Sequence, residues 1–279
     1  MVRKALLVLS LFAAPAAAQS AAIIGRDNAA FARELYVHGW PDLAEGVVRV
    51  FTELDQQGKA DHLELLAVQA VGLDLKLDVA RRDPDVDKRR QMISEVIAAK
   101  EKLIEESPRT EIARNARDNL PDAYRMYGDA LTAALEKETD ASAQNKLREE
   151  GQAAFTRIED DLQHRLDTLH DQHLEEERGP EDLQYMNALF NMGRIRYFHA
   201  RFYPPGNPLG ESLLNIAIKV FEDVSLDYPD LLINFEGTYY IGLCHKAMGK
   251  NDEALNDWEF NIKELRDNGA APDSKGRYE

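Results

Sequence analysis

A single cysteine, Cys244, stands in 279 residues, so no disulfide can form within the chain, whatever the redox state of its compartment. Segments of alternating β-branched residues are missing, and so is any regular strand–helix alternation. Their absence excludes sandwiches, barrels and doubly wound sheets. After the first twenty residues no unbroken apolar run reaches bilayer-spanning length, so no membrane span is expected in the mature chain. Positive charge is in deficit: 34 Lys and Arg against 50 Asp and Glu leave a net charge of −16. Such a balance repels nucleic acid and anionic lipid surfaces. A phosphate-cradling glycine loop, an HExxH helix and a GxSxG elbow are all lacking. Stability must therefore come from packing, and no motif calls for a cofactor.

The N-terminus carries the one compact export pattern. Arg3 and Lys4 precede an apolar run from Ala5 to Ala14, which is too short to cross a bilayer. Pro15 ends the run, and Ala16-Ala17-Ala18 before Gln19 offers the small residues that a signal peptidase needs. Residues 1–18 are expected to be a cleaved signal peptide, which places the product in a periplasm or outside the cell. The residue directly after the cleavage point is Gln19 and not cysteine, so a lipid anchor is not expected. Losing two basic residues leaves a mature net charge of −18.

Helical signals fill the remainder. Asp27 is expected to cap a helix ending near His38, and Pro41 opens a second that ends near Gly58. A third, from Asp61 to Arg81, carries leucines and valines around most of its circumference, as an interior helix does. Asp83-Pro84-Asp85 stops it. A fourth runs from Val86 to before Pro108, with Met92, Val96, Ile97, Leu103 and Ile104 inward. A fifth spans Thr110 to Leu135, with a kink or break expected at Pro121. From Ala141 to Glu177, Leu147, Gly151, Ala154, Ile158, Leu162, Leu166 and Leu169 form a single stripe. That stripe suits a long helix lying along the array, or the seam of a coiled coil. Gly151 and Ala154 weaken the seam, which wants large apolar residues. Gly179-Pro180 is the expected boundary before the last third.

In that last third one pattern occurs twice. Gly242, Gly249, Ala254 and Trp258 punctuate one copy, and Gly193, Ala217, Phe221 and Pro229 the other. Small residues let two helices of a hairpin touch, and the aromatic fills the gap beside them. Ile241-Gly242, the turn from Gly249 to Ala254, and Trp258 match the large-small pair, turn and aromatic of the tetratricopeptide (TPR) repeat, which this region resembles. Met192-Gly193, Ala217, Phe221 and Tyr228-Pro229 match it again, around an insertion of about twelve residues from Arg201 to Ser212 that holds Pro204-Pro205-Gly206-Asn207-Pro208. The N-terminal hairpin resembles a weaker third copy, because Gly39 and Ala44 are spaced as Gly249 and Ala254 are. Residues 61–178 depart from the pattern. The resemblance implies an all-α fold, a TPR-like α-solenoid of stacked antiparallel helix hairpins. Its segments are degenerate hairpins over 19–178, repeats over 179–266 and a polar tail over 267–279.

The resemblance also implies a role. In that family the first helix of each unit lines a groove that holds a peptide or helix. Carried over by position, the groove shows Arg33 and Tyr36, then Asn187, Phe190, Arg194 and Tyr197, then Tyr239, Leu243 and Lys246. Members that grip a terminal carboxylate use lysine and asparagine where Tyr239 and Leu243 stand here, so that ligand class is not implied. The expectation is an exported, non-enzymatic scaffold or adaptor for a protein or peptide partner, with the proline-rich insertion shaping one rim. Two alternatives stand beside it. One is self-association through the helix 141–177. The other is a helical metal-binding protein or enzyme using His170, His173 and Glu177, which share a helix face. Cys244 and His245 point about 100° apart on a helix, poor geometry for a nucleophile and its base. Phe260 faces away from the apolar side of the last helix and is expected to meet a partner or further repeats.

Overall fold

A computed structural model describes residues 21–58, 62–175, 183–227 and 232–267. Among them are ten α-helices and no strand: α1 (Ala21–Val37), α2 (Pro41–Gln56), α3 (His62–Arg82), α4 (Val86–Glu106), α5 (Glu111–Lys137), α6 (Ala141–Glu175), α7 (Leu183–Ala200), α8 (Pro208–Asp227), α9 (Leu232–Ala247) and α10 (Asn251–Asp267). The protein is all-α, built as a succession of helix hairpins. The signal segment 1–18, Gly179-Pro180, Pro229, Glu177 and the tail after Asp267 lie outside the described residues.

Local chemistry fixes where these helices begin. The Asp85 carboxylate accepts from the N–H groups of Asp87 and Lys88 at 3.0 and 3.1 Å, and Thr110 Oγ1 accepts from Ala113 at 3.1 Å. Asp140 does the same for Ala143 at 2.8 Å, and Asn207 for Leu209 at 2.9 Å. Each satisfies a donor that the first turn would otherwise leave orphaned. Pro41 and Pro208 occupy first positions, where the missing N–H is harmless.

The helices group into two compact units, one of residues 1–79 and 99–116, the other of residues 80–98 and 117–279. In the first, α1 and α2 form a hairpin against α3. Ala32, Leu35, Ala44, Val71 and Leu75 are its core, and Tyr36 and Val47 pack on its edge. Leu66, Leu103, Ala113 and Ala116 make a second cluster. Buried Lys100 reaches Asp74 at 2.6 Å, so its charge is paired.

In the second unit α6, α7, α8, α9 and α10 each pack on the next. Tyr124, Phe155, Phe198 and Phe202 build an aromatic core between α5, α6 and the end of α7. Most of the α6 stripe is spent inside this unit: Gly151, Ile158, Leu162, Leu166 and Leu169 are buried, and Leu147 and Ala154 are half-buried. A coiled-coil seam would need those buried positions free. Gly151 is where α6 receives Phe202. A Cβ there would strike the Phe202 ring.

Two further expectations, the cap at Asp27 and a break at Pro121, are corrected. α1 starts at Ala21, six residues before Asp27, so Asp27 lies inside the helix and not at its start. α5 runs through Pro121 without a break. One hydrogen bond is lost there, but Leu120, Pro121, Ala123 and Tyr124 are buried together, and that packing outweighs the local penalty of about 3 kcal/mol. Within the insertion, residues 201–207 connect the helices, and residues 208–212 lengthen the start of α8.

The repeats themselves superpose in chemistry. A Cβ on Gly193 would lie 2.8 Å from the Phe221 ring, and a Cβ on Gly242 would strike Trp258. These glycine–aromatic pairs are 28 and 16 residues apart, a difference equal to the twelve-residue insertion. The turns match as well. Gly39 and Gly249 take φ of 80° and 76°, left-handed values that a side chain would strain. The next N–H donates five residues back in both, Trp40 to Leu35 at 2.8 Å and Lys250 to His245 at 2.9 Å. Ala44 and Ala254, five residues past each glycine, are buried.

Candidate binding cleft

The second unit contains a cleft of about 550 Å³ between α5, α6, α7 and α9. Three of the four elements supply paired charges. Arg165 of α6 is ion-paired with Asp118 of α5. On α7, Arg194 donates to Asp122 at 2.8 Å and to Asn191 at 3.1 Å. Its guanidinium lies 5.8 Å from the Phe190 ring centroid and 5.9 Å from that of Tyr240. Burial works against the charge on Arg194, but Tyr240 and Asp122 oppose it, and the net shift is upward. One turn pair further along, Arg201 donates to Asp129 at 3.4 Å and covers the Tyr197 and Phe198 rings. Arg194–Asp122 and Arg201–Asp129 both join residues 72 apart. Two contacts in the same register require α5 and α7 to run parallel, as the first helices of successive hairpins do.

Between the ion pairs the lining is carboxamide and apolar: Asn119 on α5, Gln184, Asn187 and Asn191 on α7, with Phe190 and Ile233. Asn119 and Asn187 are exposed, so their amides are presented to anything entering the cleft. An amide offers both a donor and an acceptor, the pair that a peptide bond requires. Glu236 stands at the α9 edge.

The expected groove residues therefore divide. Asn187, Phe190 and Arg194 line the cleft. Tyr197 is buried against Phe198 and Tyr240, with Arg201 over it, and so braces the α7–α9 joint rather than facing a ligand. Burial pushes its phenol up to about 12, while Arg201 pulls the other way. Phe190 is also largely covered. Tyr239 is exposed beside Trp258, and Lys246 stands 6.0 Å over the Trp258 ring, both apart from the cleft. Leu243 is half-buried. Arg33 is exposed and Tyr36 half-buried on α1, in the other compact unit. The acids of α5 that hold the arginines lie in a segment without repeat signature. Their spacing of four and seven residues was the available signal.

The proline-rich loop does not rim this cleft. Pro204, Pro205, Gly206 and Asn207 line a separate cavity of about 380 Å³ with Arg148 and Met248. A third hollow, of about 500 Å³, contains Tyr127, whose hydroxyl donates to Glu150, and Arg90, which donates to Glu150 at 2.9 Å. Burial and Glu150 together raise the Tyr127 phenol.

Several other chemistry-bearing groups are engaged in packing or local pairs. Cys244 is buried, and burial alone raises its thiol. His245 turns away from it to Asp257 at 2.7 Å. His199 is buried 2.5 Å from Glu159. His170 is exposed near the Tyr185 ring, whereas the His173 side chain and Glu177 lie outside what is described. Among the described residues no three His, Cys, Asp or Glu side chains converge as a metal site, and no helix is long and apolar enough to cross a membrane.

Compared with protein-family models and with curated proteins, the chain matches neither.

Proposed function

We propose that the protein is an exported TPR-like scaffold or adaptor, without chemistry of its own, that captures a peptide segment of a partner protein in the cleft between α5, α7 and α9. The observation that supports this reading is the parallel, in-register pairing of α5 with α7. It turns two first helices toward one cleft and presents Asn119, Asn187 and Asn191 there. The arginines are neutralised by Asp118 and Asp122, so the cleft offers shape and amides more than net charge. An extended peptide suits such a lining, since its main chain alternates donors and acceptors. Export rests on the pattern of residues 1–18, and N-terminal sequencing of the secreted product tests it.

A photo-reactive amino acid at Asn187, compared with one at Ile216 on the exposed side of α8, tests the cleft. A discrete cross-linked partner at 187, absent at 216 and competed by an excess of unlabelled protein, is the expected result. Equal labelling at both positions overturns the reading.

A further inference from the structure

The two C-terminal hairpins place equivalent aromatics in unequal surroundings. Phe190 and Phe221 meet across α7 and α8 with ring centroids 5.5 Å apart, and Tyr239 and Trp258 meet across α9 and α10 at 6.3 Å. Phe190 and Phe221 are 4% and 0% exposed, whereas Tyr239 is 40% exposed and Trp258 half-buried. The difference has a visible cause. Tyr240 of α9 seals the inner pair, 6.0 Å from Phe190 and stacked on Phe221 at 5.3 Å. Three residues earlier Gly237 lies against α8: a Cβ there would sit in ordinary van der Waals contact, 3.5 Å from the Phe221 carbonyl oxygen and from Ser225 Oγ. The position favours a small side chain without requiring glycine.

On α10 the residues equivalent to Ile218 and Ser225 are Leu255 and Ile262, at 54% and 40% exposure. With Trp258 they form one apolar strip, since positions three, four and seven apart share a helix face. Phe260 is 59% exposed but lies two positions from Trp258 and Ile262, on the other side of α10. The strip continues, one repeat further on, the interface that α8 already makes with α9. Lys246 over the Trp258 ring adds a cation at its edge.

We propose that this end face docks one α-helix of a partner protein. The helix carries a small residue and, three positions later, an aromatic, repeating on α10 what Gly237 and Tyr240 do on α8, with a carboxylate within reach of Lys246. This site is separate from the cleft and stands whether or not the cleft binds peptide.

The test uses the full chain with Trp40→Phe, leaving Trp258 as the only tryptophan. The probe is a synthetic peptide of residues 232–247 with Cys244→Ser, stapled into a helix on its solvent side. Trp258 fluorescence should change saturably as the peptide is added. Leu255→Glu with Ile262→Glu in the protein should weaken binding tenfold or more, and so should Gly237→Leu with Tyr240→Ala in the peptide. Circular dichroism confirms that the protein variant is folded. The absence of a saturable change overturns the proposal, as does binding that either pair of substitutions leaves intact. So does light scattering that shows the chain dimeric on its own and the Leu255→Glu variant monomeric, which would make the occupant a second copy.

Discussion

The α7/α8 and α9/α10 hairpins are built on the same joint, a glycine on the first helix receiving an aromatic from the second, yet they differ in what lies outside it. Phe221 is enclosed by Phe190, Gly193 and Tyr240. Trp258 has Tyr239 and Gly242 behind it and solvent in front. The comparison separates two contributions that are usually confounded, the closure of a hairpin and the stacking of the next one upon it. Closure needs only the local glycine–aromatic fit. Stacking adds the neighbour's ring and removes the remaining water.

Several substitutions break or sharpen that contrast. Phe221→Ala empties a fully enclosed site and is expected to lose about 3–5 kcal/mol in urea denaturation. Trp258→Ala, half solvated to begin with, should lose roughly half as much, about 1.5–2.5 kcal/mol. Equal losses would mean that stacking contributes little.

Alkaline titration comes next in size. The folded phenol of Tyr197, braced in the α7–α9 joint, is pushed up to about 12 from an ordinary 10.0. Below pH 10 the folded and unfolded chains both hold the proton, so stability is unaffected. Between pH 10 and 12 the unfolded chain releases it first, and stability should fall by roughly 2–3 kcal/mol. Tyr197→Phe should flatten that part of the denaturation profile. An unchanged slope would contradict the burial.

Gly193→Ala should destabilise by about 1–3 kcal/mol, because the Phe221 ring is held on every side. Gly242→Ala should lose less than about 1 kcal/mol, because Trp258 can swing outward and alanine favours the helix. Arg194→Leu gives α7 the residue that α9 carries at the equivalent position, Leu243. Asp122 is 55% exposed and can be rehydrated, so the expected loss is about 1 kcal/mol or less.

Much of this was legible in the amino-acid pattern. Gly193, Gly242, Phe221 and Trp258 were readable because a missing side chain beside a large one leaves a compositional trace. Gly39 and Gly249 were readable because a left-handed turn restricts the residue type. The α5–α7 pairing was not, because Asp118, Asp122 and Asp129 are ordinary surface letters until α7 is placed parallel to them. The resemblance implied that Phe190 and Tyr197 lie on the groove side of α7, but it carries no information about Tyr240, which covers both. The continuity of α5 through Pro121 was likewise a tertiary outcome, since only burial of its neighbours offsets the lost hydrogen bond.

The account rests most directly on the glycine–aromatic joint being the same physical contact in both hairpins, and a pair of double-mutant cycles measures it. Gly193→Ala combined with Phe221→Leu, and Gly242→Ala combined with Trp258→Leu, should each be less destabilising than the sum of their single changes, by about 1 kcal/mol for the inner pair and less for the outer. Additivity within about 0.5 kcal/mol at Gly193 and Phe221 would show that the two residues do not meet, and the repeat built on that contact would fall with it.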